Sequence, residues 1–288
     1  MSIFREGLLS GKVAVVTGGG SGINLGIAER MAQLGAKTVL IGRTQEKLDN
    51  ACAGIRSSGG EAMGLSADVR DFDAMVRVLK VAYEARGAFD ILVCGAAGNF
   101  PARAADMSAN GFKAVIDIDL LGSFHTCRAA YEYLRKPGAS IVNISATQAF
   151  VPTAFQSHVC AAKAGVDMIT RTLAIEWGPE GVRVNSIAPG PIAETEGMRR
   201  LAPTPETSSR LQSNIPLGRY GRKDEIGDLA IFLCSDAAEY ITGAVMVCDG
   251  GQSLVGSGVW VEALGAGADM KKAGKGASQA ITRRVGNE

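Results

Sequence analysis

Short, almost continuously apolar runs recur along most of the chain, separated by longer stretches whose apolar positions repeat at helical spacing. The runs at 13–17, 38–41, 62–65, 91–94, 140–145, 182–188 and 244–248 predict strands. They do not alternate apolar with polar, as expected of strands covered on both faces. The stretches between them predict helices near 24–34, 45–57, 71–86, 108–135, 155–177 and 224–235. Strand–helix alternation of this kind builds right-handed βαβ units, and so a doubly wound α/β fold around a parallel sheet. No internal repeat is visible and no linker divides the chain before Gly251. Residues 1–252 are therefore expected to form one domain. Beyond Asp249-Gly250-Gly251 the periodicity fades, and Lys271, Lys272, Lys275, Arg283 and Arg284 stand among glycines. Residues 253–288 read as a partly flexible extension, or as an arm that helps to hold an anionic ligand.

Composition narrows the class. Of the 288 residues, 47% are apolar and 20% charged, which supplies a core and excludes global disorder. The net charge of +1 argues against binding to nucleic acid or to an anionic membrane. No apolar run approaches the ~18 residues of a membrane span. The start, MSIFREGLLSGK, lacks the apolar segment of a secretory signal, and VGNE is not a peroxisomal C-terminal address. The expected location is the cytoplasm. Six cysteines form no C-x-x-C pair and only His125 and His158 stand beside them, so no metal site is expected and the thiols read as reduced and buried. Glycine, with 37 occurrences, stands well above an average usage of about 7%. Many tight turns or close backbone approaches follow.

The most informative glycines follow the first strand. Val13-Ala14-Val15-Val16 runs into Thr17-Gly18-Gly19-Gly20-Ser21-Gly22-Ile23-Asn24 and then into a helix. A strand, a glycine turn and a helix in this order bring backbone N–H groups and a helix N-terminus onto a pyrophosphate. The second strand ends Ile41-Gly42-Arg43, with no carboxylate to accept from a ribose 2′-OH and a guanidinium suited to a 2′-phosphate. NADPH is the expected cofactor.

From residue 8 to 252 the chain resembles the short-chain dehydrogenase/reductase family, whose fingerprint is T-G-x-x-x-G-x-G. The resemblance includes Asp68-Val69, Ala96-Ala97-Gly98 and Pro189-Gly190-Pro191-Ile192. It implies a Rossmann-type seven-stranded parallel sheet in the order 3-2-1-4-5-6-7, with a substrate lid near 193–220. It also implies a homodimer or homotetramer. The implied cofactor contacts are Gly18, Gly20, Ser21, Gly22, Ile23, Arg43, Asp68, Val69, Ala96, Ala97, Gly98, Lys163, Pro189, Gly190 and Ile192. One departure lies in the fingerprint itself, where the last glycine is Asn24. Asn tolerates a left-handed backbone better than other side chains, so the turn is expected to survive.

The family's Asn-Ser-Tyr-Lys tetrad is largely absent. Lys163 is present, but the Tyr position is Val159, the Ser position Ala146 and the Asn position Asp119. Spacing supports two of these positions independently. Phe112, Val115, Ile116 and Asp119 fall at i, i+3, i+4 and i+7, as do Val159, Ala162, Lys163 and Val166, so both charged residues lie on inward stripes. A carboxyl in apolar surroundings holds a proton at neutral pH; an Asp119–Lys163 ion pair packing two helices is the structural alternative. His158 adjoins the vacant Tyr position, but a neighbour on a helix points elsewhere.

Ala96-Ala97-Gly98-Asn99-Phe100, Asp117-Ile118-Asp119, Glu176-Trp177-Gly178-Pro179 and the run Pro189 to Gly197 resemble a narrower group, the peroxisomal-type 2,4-dienoyl-CoA reductases and their bacterial relatives. That resemblance implies hydride transfer from NADPH to C5 of a 2,4-dienoyl thioester and protonation at C2, giving a 3-enoyl-CoA. Asp119 is then the proton donor, directly or through water, and Lys163 holds the nicotinamide ribose and supplies positive potential. The implied acyl-CoA contacts are Arg70, Phe100, Ser108, Asn110 and Arg200. Competing readings are a 2-enoyl or 3-oxoacyl thioester reductase, the latter weakened by the missing Tyr, and a catalytically silent NADP-binding protein.

Overall fold

A computed structural model describes residues 3–257. The basic cluster of the C-terminal extension, from Lys271 to Arg284, lies outside the described residues. The strands are β1 (Val13–Thr17), β2 (Lys37–Gly42), β3 (Glu61–Ser66), β4 (Ile91–Cys94), β5 (Ser140–Ile144), β6 (Arg183–Pro189) and β7 (Val245–Cys248), each end within one residue of its expected place. All pair in parallel, in the order β3-β2-β1-β4-β5-β6-β7.

The continuous apolar runs have a direct cause. Along β1, Ala14 and Val16 enter one core with Ile27, Met31, Leu40, Leu48 and Ile231, while Val13 and Val15 enter a second core with Val39, Met75, Leu79, Leu92 and Trp177. The first core is roofed by α1 (Gly22–Gln33), α2 (Gln45–Ser57) and, numbered in chain order, α9 (Lys223–Cys234). The second is roofed by α3 (Phe72–Arg86), α5 (Gly122–Ala130) and α6 (Ser157–Trp177). Because each strand must bury both of its faces, polar alternation is lost.

Two regions differ from expectation. The long helix anticipated at 108–135 is divided into α4 (Ala109–Val115), a π-helical segment (Ile116–Leu121) and α5. Close approaches bracket this segment: a Cβ on Gly165 of α6 would lie 2.8 Å from Leu120 Cδ1, and one on Gly122 would lie 2.5 Å from Val69 Cγ2. Hydroxyls one turn on take up carbonyls in and just after it, Ser123 Oγ donating to Asp119 O (2.6 Å) and Thr126 Oγ1 to Gly122 O (2.7 Å). The second difference is a pair of helices that no periodicity announced, α7 (Glu196–Leu201) and α8 (Pro205–Ser213). Neither buries a residue, so neither carries an apolar stripe; their signals are the capping residues Thr195 and Thr204 and the proline at the start of α8.

Candidate active site

The carboxyl ends of β1, β4, β5 and β6 lie along one edge of the parallel sheet, the edge where a doubly wound sheet binds its ligands in a cleft. On the nucleotide side, Gly18 and Gly22 adopt φ of 69° and 61°. A Cβ at Gly18 would also meet Ala96 Cα at 3.0 Å, so the β1–α1 turn and the loop after β4 can close on one another only with glycine there. Gly20, Ser21 and Ile23 complete the turn. Ser21, the residue before α1, makes no side-chain cap, and the first turn of α1 holds no acid. The N–H groups at that helix start are thus left for an anion. Arg43 is exposed immediately beyond β2.

Asn24 has a different role from the one its left-handed tolerance suggests. It lies within α1, and among the described residues positive φ outside glycine occurs only at Phe155 and Glu194. Its Nδ2 instead donates to Gly95 O at 2.6 Å, joining the glycine turn to the loop after β4. Gly95 makes the room, since a Cβ there would stand 2.0 Å from Asn24 Oδ1.

Further along the cleft, Asp68 is gripped by Arg70 through both carboxylate oxygens, at 2.5–3.0 Å. The guanidinium hydrogen bond holds the Asp68 carboxyl below the usual carboxylate range. Val69 packs on Gly122, and its carbonyl lies 2.9 Å from His125 Nδ1. Gly190 fits against Asp249, where a Cβ would lie 2.6 Å from its Cα. Ile192 is buried after β6, and the neighbouring Pro189 closes that strand.

At the centre, Asp119 and Lys163 are buried and meet, with Asp119 Oδ2 3.2 Å from Lys163 Nζ. Gly98 N–H donates to Asp119 Oδ1 at 2.7 Å, and Lys163 donates to Ile144 O at 2.9 Å. The two inward stripes are real, but the surroundings of Asp119 are not apolar, because a cation and a backbone N–H reach it. Its Oδ2 receives no directed hydrogen bond. Where the tetrad has Tyr, Val159 packs with Val115, Ala162, Ile116 and Leu120, an apolar wall beside the ion pair. The π segment carries Asp119, in keeping with the frequent occurrence of π-turns at functional sites.

The residues tied by resemblance to the acyl-CoA are less uniform. Phe100 packs against His158, with ring centroids 4.6 Å apart and the planes tilted by 48°, and borders the first turn of α4 at Gly111. Ser108 Oγ caps α4 by accepting from Gly111 N at 3.0 Å, and Asn110 is exposed beside it. Arg70 is taken up by Asp68, and Arg200 Nε by Glu196 at 2.9 Å. Sequence reasoning missed the Asn24–Gly95 clasp, the Gln148–Gln156 hydrogen bond at 3.0 Å and the complete burial of His158. None of the three leaves a spacing signal in the sequence: the clasp spans 71 residues, and the other two depend on how the loops before α6 pack.

The sheet order, the glycine turn and the buried Asp–Lys pair define a dinucleotide-binding α/β enzyme. Residues 18–253 match the family model described as Enoyl-(Acyl carrier protein) reductase. The chain is 44% identical over 260 residues to the peroxisomal 2,4-dienoyl-CoA reductase [(3E)-enoyl-CoA-producing] of Arabidopsis thaliana, covering 87% of each. It is 41% identical to the probable 2,4-dienoyl-CoA reductase [(2E)-enoyl-CoA-producing] of Bacillus subtilis, over 84% of this chain and 97% of that one. It is also similar to a solved gluconate 5-dehydrogenase from Burkholderia cenocepacia in complex with NADP and tartrate. There the TM-score is 0.80 and the identity 31%, over 85% of this chain and 96% of that one. The chain belongs to the short-chain dehydrogenase/reductase family of nicotinamide-dependent oxidoreductases. Its own residues fit such a cofactor: the positive-φ glycine cradle and the uncapped start of α1 suit a pyrophosphate, and Lys163 stands at the end of that cleft.

Proposed function

We propose that this protein reduces 2,4-dienoyl-CoA thioesters to 3-enoyl-CoA with NADPH, as the oxidation of unsaturated fatty acids requires. The observation that carries this reading is the buried Asp119–Lys163 pair facing an apolar wall where a ketone reductase needs a tyrosine. When bound, NADPH would supply a hydride to C5 of the dienoyl group, with the charge delocalised through the diene to the thioester oxygen. No alkoxide forms, so no phenol is needed. The remaining task is to deliver one proton to C2. A water held at Asp119 Oδ2 is placed to relay it from solvent, while Gly98 N–H fixes the other carboxylate oxygen. Lys163 fixes Asp119 from the opposite side and brings positive potential to the nicotinamide ribose and the developing enolate.

NADPH is preferred over NADH because Arg43 follows the neutral Gly42 with no carboxylate to repel a 2′-phosphate. Phe100, Ser108 and Asn110 border the acyl side, and Arg70 and Arg200 reach the CoA phosphates by exchanging their carboxylate partners. The helices α7 and α8 form the lid. A homodimer or homotetramer is the proposed assembly, and the cytoplasm the proposed location, although several relatives are named peroxisomal.

The test follows NADPH oxidation with 2,4-hexadienoyl-CoA beside crotonyl-CoA and acetoacetyl-CoA, and locates the product double bond by NMR. Turnover of the dienoyl substrate to the 3-enoyl product is expected. Turnover of crotonyl- or acetoacetyl-CoA alone would make the protein another thioester reductase. NADPH binding without any turnover would make it a silent binder.

A further inference from the structure

His158 is wholly buried in the first turn of α6, yet neither Nδ1 nor Nε2 has a hydrogen-bond partner. Its ring lies between aromatic rings, 4.6 Å from Phe100 and 6.5 Å from Phe112 by centroids. An imidazole always carries at least one N–H, and a buried donor left unmade destabilises the fold. A donor kept at that cost needs an acceptor that the protein itself does not supply.

The surroundings indicate what the acceptor is. Phe100 sits in the irregular loop after β4, and that loop is tied to the start of α6 by Ala102 N–H donating to Phe155 O at 2.9 Å. Phe155 is held at φ 66°, a strained conformation for a bulky side chain. Gln148 Nε2 donates to Gln156 Oε1, which joins the segment bearing Phe150 to the same place. Phe100, Phe150 and Phe155 are 37%, 48% and 57% exposed. Apolar side chains concentrated in this way mark a surface that receives an apolar group.

We propose that His158 donates a hydrogen bond to the thioester oxygen of the bound acyl-CoA, the Phe100 ring giving way to the acyl chain as it arrives. This rests on the acyl-thioester reading above. The acyl group offers one strong acceptor, the thioester oxygen, and its remainder suits the phenylalanine faces around His158. Lys163, one turn further along α6, is already engaged by Ile144 O and Asp119. Charge arrives on the thioester oxygen when the hydride adds at C5, and a fixed donor in a water-excluded place is most effective there. His158 keeps its N–H throughout; the proton that ends on C2 arrives through the water at Asp119.

Two substitutions test the assignment, His158→Phe, which fills the space without a donor, and His158→Gln, which retains an N–H. Removing such a donor lowers kcat by about 10²–10³-fold. His158→Phe should show that loss with 2,4-hexadienoyl-CoA, with unchanged NADPH Kd and an unchanged or higher Tm, because an orphaned donor has been removed. His158→Gln should recover part of the rate. An unchanged kcat with a lowered Tm would make the imidazole a structural group and overturn the proposal. A measurement on the unaltered protein avoids any folding question. The chain has only 2 histidines, so ¹⁵N-histidine NMR is readable. Adding hexanoyl-CoA with NADP should move the His158 signal and leave His125 in place, whereas no movement overturns the assignment. If wild type fails to reduce any dienoyl-CoA, the functional reading falls and this assignment with it. If wild type is active and His158→Phe equally fast, only this assignment falls.

Discussion

The two sides of the cleft are made of different material. On the nucleotide side the turn after β1 and the loop after β4 meet through backbone, and the chain departs from the family fingerprint at one residue, Asn24, whose new side chain is accommodated by the missing Cβ of Gly95. On the acyl side the work falls to side chains, and three of the four tetrad positions differ, with Asp119 paired to Lys163 and Val159 absorbed into an apolar cluster. A site built from N–H groups tolerates a side-chain change if a neighbour yields space, and it goes on binding the same ligand. A site built from side chains changes its chemistry when they change.

The largest effects should therefore come from the acyl side. Lys163→Ala leaves Asp119 buried without its cation, and breaking a buried pair from one side costs about 3–5 kcal/mol. Turnover and NADPH affinity should both collapse. Adding Asp119→Asn to that variant should return part of the stability and none of the turnover, as followed by thermal melts and NADPH titration. Near-wild-type rates for Lys163→Ala would remove the inferred cofactor geometry. Asp119→Asn alone should lower dienoyl-CoA turnover by about 10²–10⁴-fold, the usual range for general acid catalysis. NADPH affinity should barely change, and equal loss of both would place Asp119 with the cofactor rather than the substrate.

Next in size is Arg43→Ala. A charge-assisted hydrogen bond contributes roughly 1.5–3 kcal/mol, so NADPH should bind about tenfold or more weakly while NADH is unaffected. Equal wild-type affinities for the two cofactors would end the NADPH assignment.

How much of this was legible depended on range. The strands and the alternating helices follow from local periodicity, and every strand was placed within a residue. The inward stripes that bury Asp119 and Lys163 are local as well. The carboxyl–ammonium contact across 44 residues was open to expectation because both stripes face inward, but the backbone partners Gly98 N–H and Ile144 O, 21 and 19 residues away, were not. The π segment was illegible because Phe112, Val115, Ile116 and Asp119 keep ordinary helical spacing into it, and its bracketing glycines, Gly122 and Gly165, acquire meaning only against Val69 and Leu120. The helices α7 and α8 were missed because exposed helices carry no stripe.

The Asn24–Gly95 clasp offers a direct test of local compensation. Gly95→Ala sets a Cβ 2.0 Å from Asn24 Oδ1, and overpacking of this kind costs about 1–3 kcal/mol. Tm and NADPH affinity should both fall, and Asn24→Gly in the same chain should restore them. Failure of that rescue would show that the clasp does not position the turn.

The smallest effect tests the support beneath the nucleotide side. The start of α9 presses on α1, where a Cβ on Gly26 would lie 2.5 Å from Lys223 Cβ. Glu225 fixes that start by accepting from Arg222 N–H at 2.7 Å and from both terminal nitrogens of Arg219 at 2.6 and 2.9 Å. The Arg219 guanidinium pushes the Glu225 carboxyl down from 4.5 to about 2. A carboxyl whose pKa is lower in the folded state contributes stability above its unfolded value and loses it as pH falls through the folded one. Wild type should therefore melt above Glu225→Gln at neutral pH, by a margin that holds down to about 4.5 and closes as pH approaches about 2. The ion pair is partly exposed, so the margin should be small and should shrink in high salt. A margin that widened on acidification would reverse the sign and show that Glu225 does not anchor α9 as a carboxylate.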